Sequence, residues 1–231
     1  MSFVVPAPSP ISVPVLDSAD RFPVRRIYCV GRNYVEHAKE MGFTGREPPF
    51  FFLKPADAIV HVAPGETGSL PYPPGTQDLH HEVELVVAIG KGGADILAAN
   101  AREHVFGYAI GLDMTRRDLQ AQAKKQGRPW EIGKGFDHSA PIGTLVPLTR
   151  TGWLDNGRIE LKVNGAVRQS STLDKLIWNV AETIEYLSNY WQLEPGDLIY
   201  SGTPEGVAAV VKGDVLEATF DGVPPLRIRI D

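Results

Sequence analysis

Glu82-Val83-Glu84-Leu85-Val86-Val87-Ala88-Ile89 is the stretch on which the fold turns. The two-residue period of a strand puts Glu82 and Glu84 on the same face, and the residues that follow are apolar on both faces. If such a strand enters a buried sheet, two neighbouring carboxylates are expensive unless they are protonated or neutralised by a cation. On spacing alone, a solvated Glu-x-Glu face is the commoner arrangement.

Outward from this strand the chain predicts a β-rich α+β fold with a few short helices. Arg25 to Val30, Phe50 to Lys54, Ala58 to Val62 and Phe106 to Leu112 are apolar runs bounded by turn residues. Ile159 to Val163 and Ala166 to Gln169 are joined through Asn164-Gly165, a pair suited to the positive φ angles of a type I′ hairpin. Two Gly-Asp turns precede Leu198 to Tyr200 and Val215 to Phe220, which predicts a C-terminal meander. A helix is expected to begin near Tyr34, with Asn33 and Glu36 in a capping pattern. A short polar helix follows over Arg117 to Gln126. Leu173 to Tyr190 carries Leu173, Leu176, Ile177, Val180, Ile184 and Leu187 on one broad helical face. Pro6, Pro8, Pro10 and Pro14 make residues 1–24 an extended arm or edge strand, leaving residues 25–231 as a single domain.

Composition narrows the function classes. At 231 residues, 43% hydrophobic and 22% charged, the chain is long enough to bury a sizeable core. A net charge of -5 argues against a nucleic-acid surface, which needs a basic face. Cys29 is the single cysteine, in an apolar run that predicts burial, so no intramolecular disulfide is possible. No run approaches the length of a membrane span, and the expected compartment is cytoplasmic.

Asp113 ends the strand over Phe106 to Leu112 and offers a third oxygen donor to Glu82 and Glu84. Such a set of hard ligands suits Mg²⁺, Mn²⁺ or Ca²⁺. The alternative is that Asp113 begins a turn or caps the following helix.

Five segments in order resemble the fumarylacetoacetate hydrolase family: Cys29-Val30-Gly31-Arg32-Asn33-Tyr34, Phe51-Phe52-Leu53-Lys54-Pro55, Glu82-Val83-Glu84-Leu85, Gly111 to Gln120, and Ile199 to Val207. The resemblance implies a mixed β-roll of the family's C-terminal domain type, a homodimer, and Mg²⁺ or Mn²⁺ held by Glu82, Glu84 and Asp113. His37 and Glu40, three apart on one helix face, would alone be a solvated surface. The resemblance implies instead a catalytic pair on a mobile segment over the site, the histidine taking a proton from water. It also implies Gln120 and Lys134 at the substrate oxygens and Arg117 near a carboxylate, with Arg116 an open alternative. Arg32, at the helix entrance, is positioned to hold a substrate carboxylate or a surface ion pair. Thr203 lies in a glycine-proline loop suited to an anion, and Lys134 would steady an enolate as a point charge. The role of Lys54 stays open between substrate and support.

Two departures from the family pattern stand out. His81, after His80, replaces a tyrosine common in relatives, and Ala56 replaces a serine; both histidines are expected to support or pack. The implied activity is cleavage of a carbon–carbon bond in a small anionic ketoacid, an acylpyruvate. Gly127 to Lys134 most resembles the bacterial fumarylpyruvate hydrolases of gentisate degradation, whose products would be fumarate and pyruvate. Oxaloacetate decarboxylation, a broad acylpyruvase, isomerisation of a dienedioate and a catalytically silent metal-binding scaffold are the alternatives.

Overall fold

The computed structural model of the chain describes residues 3–40 and 46–231, apart from the side chains at 38–40. Two sheets carry the fold. The larger has eight strands, in the order Phe50–Lys54, Ile27–Gly31, Leu198–Tyr200, Val83–Ile89, Val105–Leu112, Ala140–Ile142 and Ile59–His61, with Val146–Pro147 also paired to Val105–Leu112. It is mixed: Leu198–Tyr200 runs parallel to Ile27–Gly31, and Ala140–Ile142 parallel to Ile59–His61. The smaller has five strands, in the order Ala166–Thr172, Arg158–Val163, Val215–Phe220, Val223–Ile230 and Gly68–Leu70. This is the β-rich mixed roll that the sequence predicts.

Burial on both faces explains the unbroken apolar run of the Val83–Ile89 strand, every residue of which is buried. Leu85 and Val87 join Tyr28 and Ile110 in a core shared with Leu161, Leu216 and Ile228 of the smaller sheet. Val86 and Ala88 point the other way, toward Cys29, Ala109, Leu198 and Tyr200. That second face is closed by an antiparallel hairpin of Ser12–Pro14 and Arg21–Pro23, which contributes Val13 and Phe22.

The Asn164-Gly165 turn is as expected, with φ of 51° and 81° closing the Arg158–Val163 and Ala166–Thr172 hairpin. Three expectations change. The helix foreseen over Leu173 to Tyr190 is interrupted, because Asn179 caps a new helix, Val180–Ser188, in a reciprocal capping box with Glu182; only a 3₁₀ turn, Leu173–Lys175, precedes it. The C-terminal meander divides: Leu198–Tyr200 lies in the middle of the larger sheet, while Val215–Phe220 belongs to the smaller. Asn33 does not cap the helix after it through its carboxamide. Its Oδ1 accepts from Trp178 N at 2.8 Å and its Nδ2 donates to Trp178 O and Ser201 O, tying two loops together, and the helix begins at Val35.

Strand direction gathers the candidate residues at one end of the larger sheet. Val83–Ile89 starts where its antiparallel neighbour Val105–Leu112 stops, with Val83 opposite Leu112 and Glu84 opposite Gly111. The Leu198–Tyr200 and Ile27–Gly31 strands, parallel to each other, also end there. The loops after residues 31, 112 and 200 therefore meet around Glu82 and Glu84.

Candidate active site

Sheet register explains how three acids from two strands converge. Asp113 N donates to Glu82 O at 2.8 Å, fixing the residue after one strand beside the residue before the other. One carboxylate oxygen from each of Glu82, Glu84 and Asp113 lies within 4.8 Å of the others, and all three residues are buried. Two glycines make room. A Cβ on Gly111, opposite Glu84, would fall 2.6 Å from Val86 Cγ2 and 2.8 Å from Tyr200 Cε1. Gly202 has a φ of 102°, and its N–H donates to Glu84 Oε2 at 2.8 Å.

Three cations surround the three acids. Lys134 Nζ donates to Glu82 Oε2 and to Asp113 Oδ2, each at 2.8 Å. Arg117 Nη2 donates to Glu82 Oε1. Lys54, only 2% exposed, places its Nζ 2.8 Å from Asp113 Oδ1 and donates to Met114 O at 3.1 Å and to Lys134 O. Fully ionised, these six groups together are neutral. The angle of the Lys54 contact leaves Asp113 Oδ1 as a buried oxygen that receives no hydrogen bond. Three clustered carboxylates with such an orphaned oxygen fit a hard divalent cation.

The titration of these groups follows their surroundings. Burial opposes charge on Glu82, but Lys134, Arg117 and His37 outweigh it and hold the carboxyl below its ordinary range. Burial, reinforced by Asp113 and Glu82, pushes Glu84 well upward. Burial also opposes charge on Lys134, yet Asp113 and Glu82 raise it overall, so the ammonium persists.

A narrow cavity of about 20 Å³ stands over the cluster, lined by the three acids together with Arg32, His37, Arg117, Gln120, Lys134 and Thr203. Nine of the ten residues that the sequence singles out therefore share one space. The tenth is Glu40, whose side chain lies outside the described residues. Phe52 and Trp130 provide the apolar wall. His37 is 5% exposed. Arg32 has a φ of 58°, a left-handed position uncommon for a side chain of its size, and its guanidinium lies 5.3 Å from the Phe50 ring centroid and 5.9 Å from that of Trp130.

The two arginines differ in their contacts. Arg117 bonds Glu82 and donates to Gln120 Oε1 at 2.6 Å, whereas Arg116 stacks 4.4 Å from the Phe136 centroid, away from the cavity lining. Lys134 does not lie in a plain turn, since Glu131–Lys134 forms a helical turn that buries it. His80 sits between Asp78 and Arg117, with Nε2 2.9 Å from Asp78 Oδ1 and Nδ1 accepting from Arg117 Nε. His81 is fully buried against Gln169, which holds Nδ1 at 2.9 Å from its Oε1. Sequence reasoning missed Gln169 altogether. Its one signal was its place on the Ala166–Thr172 strand, where it is the single fully buried position.

Among the described residues no helix is long and apolar enough to cross a membrane. Residues 26–231 match the family model described as the fumarylacetoacetate (FAA) hydrolase C-terminal domain. A fumarylpyruvate hydrolase of Ralstonia sp. is 46% identical over 80% of this chain and 93% of its own length. A mitochondrial oxaloacetate tautomerase of Rattus norvegicus is 42% identical over 90% of this chain and 92% of its own. The crystal structure of the fumarylpyruvate hydrolase from Pseudomonas aeruginosa, in complex with Mn²⁺ and pyruvate, superposes with a TM-score of 0.97 at 55% identity and covers 99% of both chains. With its β-rich roll, its clustered acids and a family match over nearly its whole length, the chain belongs to the fumarylacetoacetate hydrolase family and is an enzyme of its carbon–carbon bond hydrolase kind.

Proposed function

We propose that the protein hydrolyses an acylpyruvate, with fumarylpyruvate as substrate and fumarate and pyruvate as products. The carrying observation is the electrostatics of the cavity: three carboxylates matched by Lys54, Lys134 and Arg117, with Arg32 a further cation in the lining, so that a divalent ion would leave the site net positive. A dianion offsets that positive charge in a buried space where unbalanced charge is expensive. Fumarylpyruvate carries two carboxylates, acetylpyruvate only one. Likeness to two fumarylpyruvate hydrolases, at 46% and 55% identity, supports the same choice.

Glu82, Glu84 and Asp113 would hold the ion, Mg²⁺ or Mn²⁺, which when bound supplies a Lewis acid for neighbouring carboxylate and keto oxygens of the substrate. Arg32 and Arg117 bind the substrate's two carboxylates, and Gln120 and Thr203 fix oxygens between them. His37, for which the family resemblance implies Glu40 as partner, removes a proton from water as the oxygen attacks the carbonyl beyond the methylene. The bond from that carbonyl to the methylene then breaks, and the electron pair passes into a pyruvate enolate. Lys134 Nζ, already ammonium and rigidly held, stabilises the developing charge, and a proton returns to the methylene carbon to give pyruvate. Phe52 and Trp130 keep bulk water from the enolate. The protein acts in the cytoplasm as a homodimer in this reading, with residues 25–231 as its catalytic domain.

Oxaloacetate chemistry is the second reading, favoured by the 42% identity to an oxaloacetate tautomerase. Oxaloacetate is also a dianion; its decarboxylation passes through the same pyruvate enolate, and its tautomerisation through an enolate of oxaloacetate itself. Turnover of fumarylpyruvate, acetylpyruvate and oxaloacetate, each with and without Mg²⁺ or Mn²⁺, separates the readings. Fumarylpyruvate should be the best substrate by kcat/KM; oxaloacetate ahead of it would overturn the proposal.

A further inference from the structure

The buried carboxamide of Gln169 makes four hydrogen bonds, and two of them fix its orientation absolutely. Val83 N, a backbone donor, lies 3.1 Å from one terminal atom, which must therefore be the acceptor Oε1. Pro204 O, a backbone acceptor, lies 2.8 Å from the other, which must be the donor Nε2. Two consequences follow. His81 Nδ1, at 2.9 Å from Oε1, has to carry the proton. Thr203 Oγ1, at 2.8 Å from Nε2, has to accept.

A hydroxyl that accepts from Gln169 keeps its own proton for another partner. Thr203 lines the cavity beside Glu84, Lys134 and Arg117, and among the described residues no acceptor takes that proton. We infer that Gln169 is a positioning residue, which occupies one acceptor position of the Thr203 hydroxyl and leaves its O–H to donate to an anionic oxygen of the substrate. The hydroxyl by itself is indifferent, equally able to accept from a protonated acid or a water; the carboxamide behind it fills one acceptor position and biases the proton toward the substrate. Because Oε1 also clamps Val83 N, at the head of the strand that bears Glu84, the same residue sets the distance between the threonine and the acidic cluster.

The inference rests on the acylpyruvate reading, since it assumes a ketoacid oxygen at Thr203. The variants Thr203→Val, Gln169→Glu and the double variant test it, with pyruvate titrated calorimetrically into the Mn²⁺-loaded protein. Gln169→Glu keeps an acceptor for Val83 N but presents an oxygen to Thr203, which must then spend its proton on that carboxylate. It should weaken pyruvate binding roughly ten- to a hundredfold, as Thr203→Val does, with Mn²⁺ affinity little changed. The double variant should be no weaker than Thr203→Val alone, because one residue acts through the other. Gln169→Met, which buries no charge, serves if the glutamate variant does not fold, with the same expectation for its double variant. Binding by the folded Gln169 variant equal to the parent's, or losses that add in the double variant, would overturn the role of Gln169 alone. A parent protein that binds Mn²⁺ but no pyruvate would overturn the acylpyruvate reading and this inference with it.

Discussion

Replacing Lys54 by methionine tests whether the cations around the acidic cluster act as internal counter-ions. The Lys54 side chain has no exposed surface and lies 2.8 Å from Asp113 Oδ1. Removing one partner of a buried pair costs about 3–5 kcal/mol, and Lys134, still bonded to Asp113 Oδ2, holds the loss near the lower figure. Met114 O and Lys134 O each lose a donor as well, at about 1 kcal/mol apiece. Methionine nearly matches the lysine stem in volume, so packing adds little. The total of about 4–5 kcal/mol corresponds to a melting temperature lower by about 8–20 °C in metal-stripped protein. Thermal melts with and without Mn²⁺ give the discriminating measurement. A positive charge beside the acids opposes a divalent ion, so Lys54→Met should bind Mn²⁺ more tightly and regain much of the lost melting temperature when the ion is added. A metal-stripped variant melting within about 3 °C of the parent, or a gap that widens on adding Mn²⁺, would refute the counter-ion account.

Asp113→Asn should abolish calorimetrically detectable Mn²⁺ binding and, because Lys54 and Lys134 both face Asp113, should also lower the melting temperature of the metal-stripped protein. His37→Ala should lower kcat on fumarylpyruvate by about 10²–10⁴-fold with Mn²⁺ affinity unaltered, read from steady-state kinetics and calorimetry side by side. Asp197 gives a pH signature remote from the cluster. Burial raises its carboxyl above the ordinary 3.8, despite bonds from Glu194 N and Arg25. The folded state thus holds this proton more tightly than the unfolded state, and its contribution to stability falls as pH rises from about 3.8 through the folded-state value. Asp197→Asn removes that decline, so its melting temperature relative to the parent should be higher at pH 7 than at pH 4; a constant difference would contradict the assignment.

Much of the fold was legible because local signals and tertiary demands agreed. Phe50–Lys54 falls where its apolar run and flanking turns place it, and Asn164-Gly165 dictates its hairpin through φ angles alone. Where the two diverged, a local interaction won. Six apolar residues spaced along Leu173 to Tyr190 suggest one helix, but the reciprocal bonds of Asn179 and Glu182 satisfy a helix start that the periodicity does not reveal. Asn33 shows the reverse. Its short-range pattern suits a cap, yet two loops distant in sequence offer its carboxamide three partners, and the tertiary bonds prevail.

The site divides along the same line. Glu82, Glu84 and Asp113 are legible through the family resemblance; a strand's period and a strand's end place the carboxylates, but spacing alone favours a solvated face. Their neutralisation is not legible. Lys54 beside Pro55 has nothing in its surroundings to distinguish it from a lysine on an exposed edge strand, and Lys134 between two glycines looks like turn surface. Each is buried only because residues distant in sequence converge: Lys54 reaches Asp113 and Met114 O, and the turn at Glu131–Lys134 brings Lys134 to Glu82 and Asp113. Gln169 is further removed, since it touches the cavity only through Thr203 and its value lies in which way its amide faces. A motif can announce ligands, because ligands are defined by their own chemistry. Counter-ions and orienting groups are defined by what stands next to them, and here that neighbour is always at least 34 residues away for Gln169 and 60 for the Lys54 carbonyl contact at Met114. The electrostatic character of the cavity is therefore a property of the fold and not of any segment of the sequence.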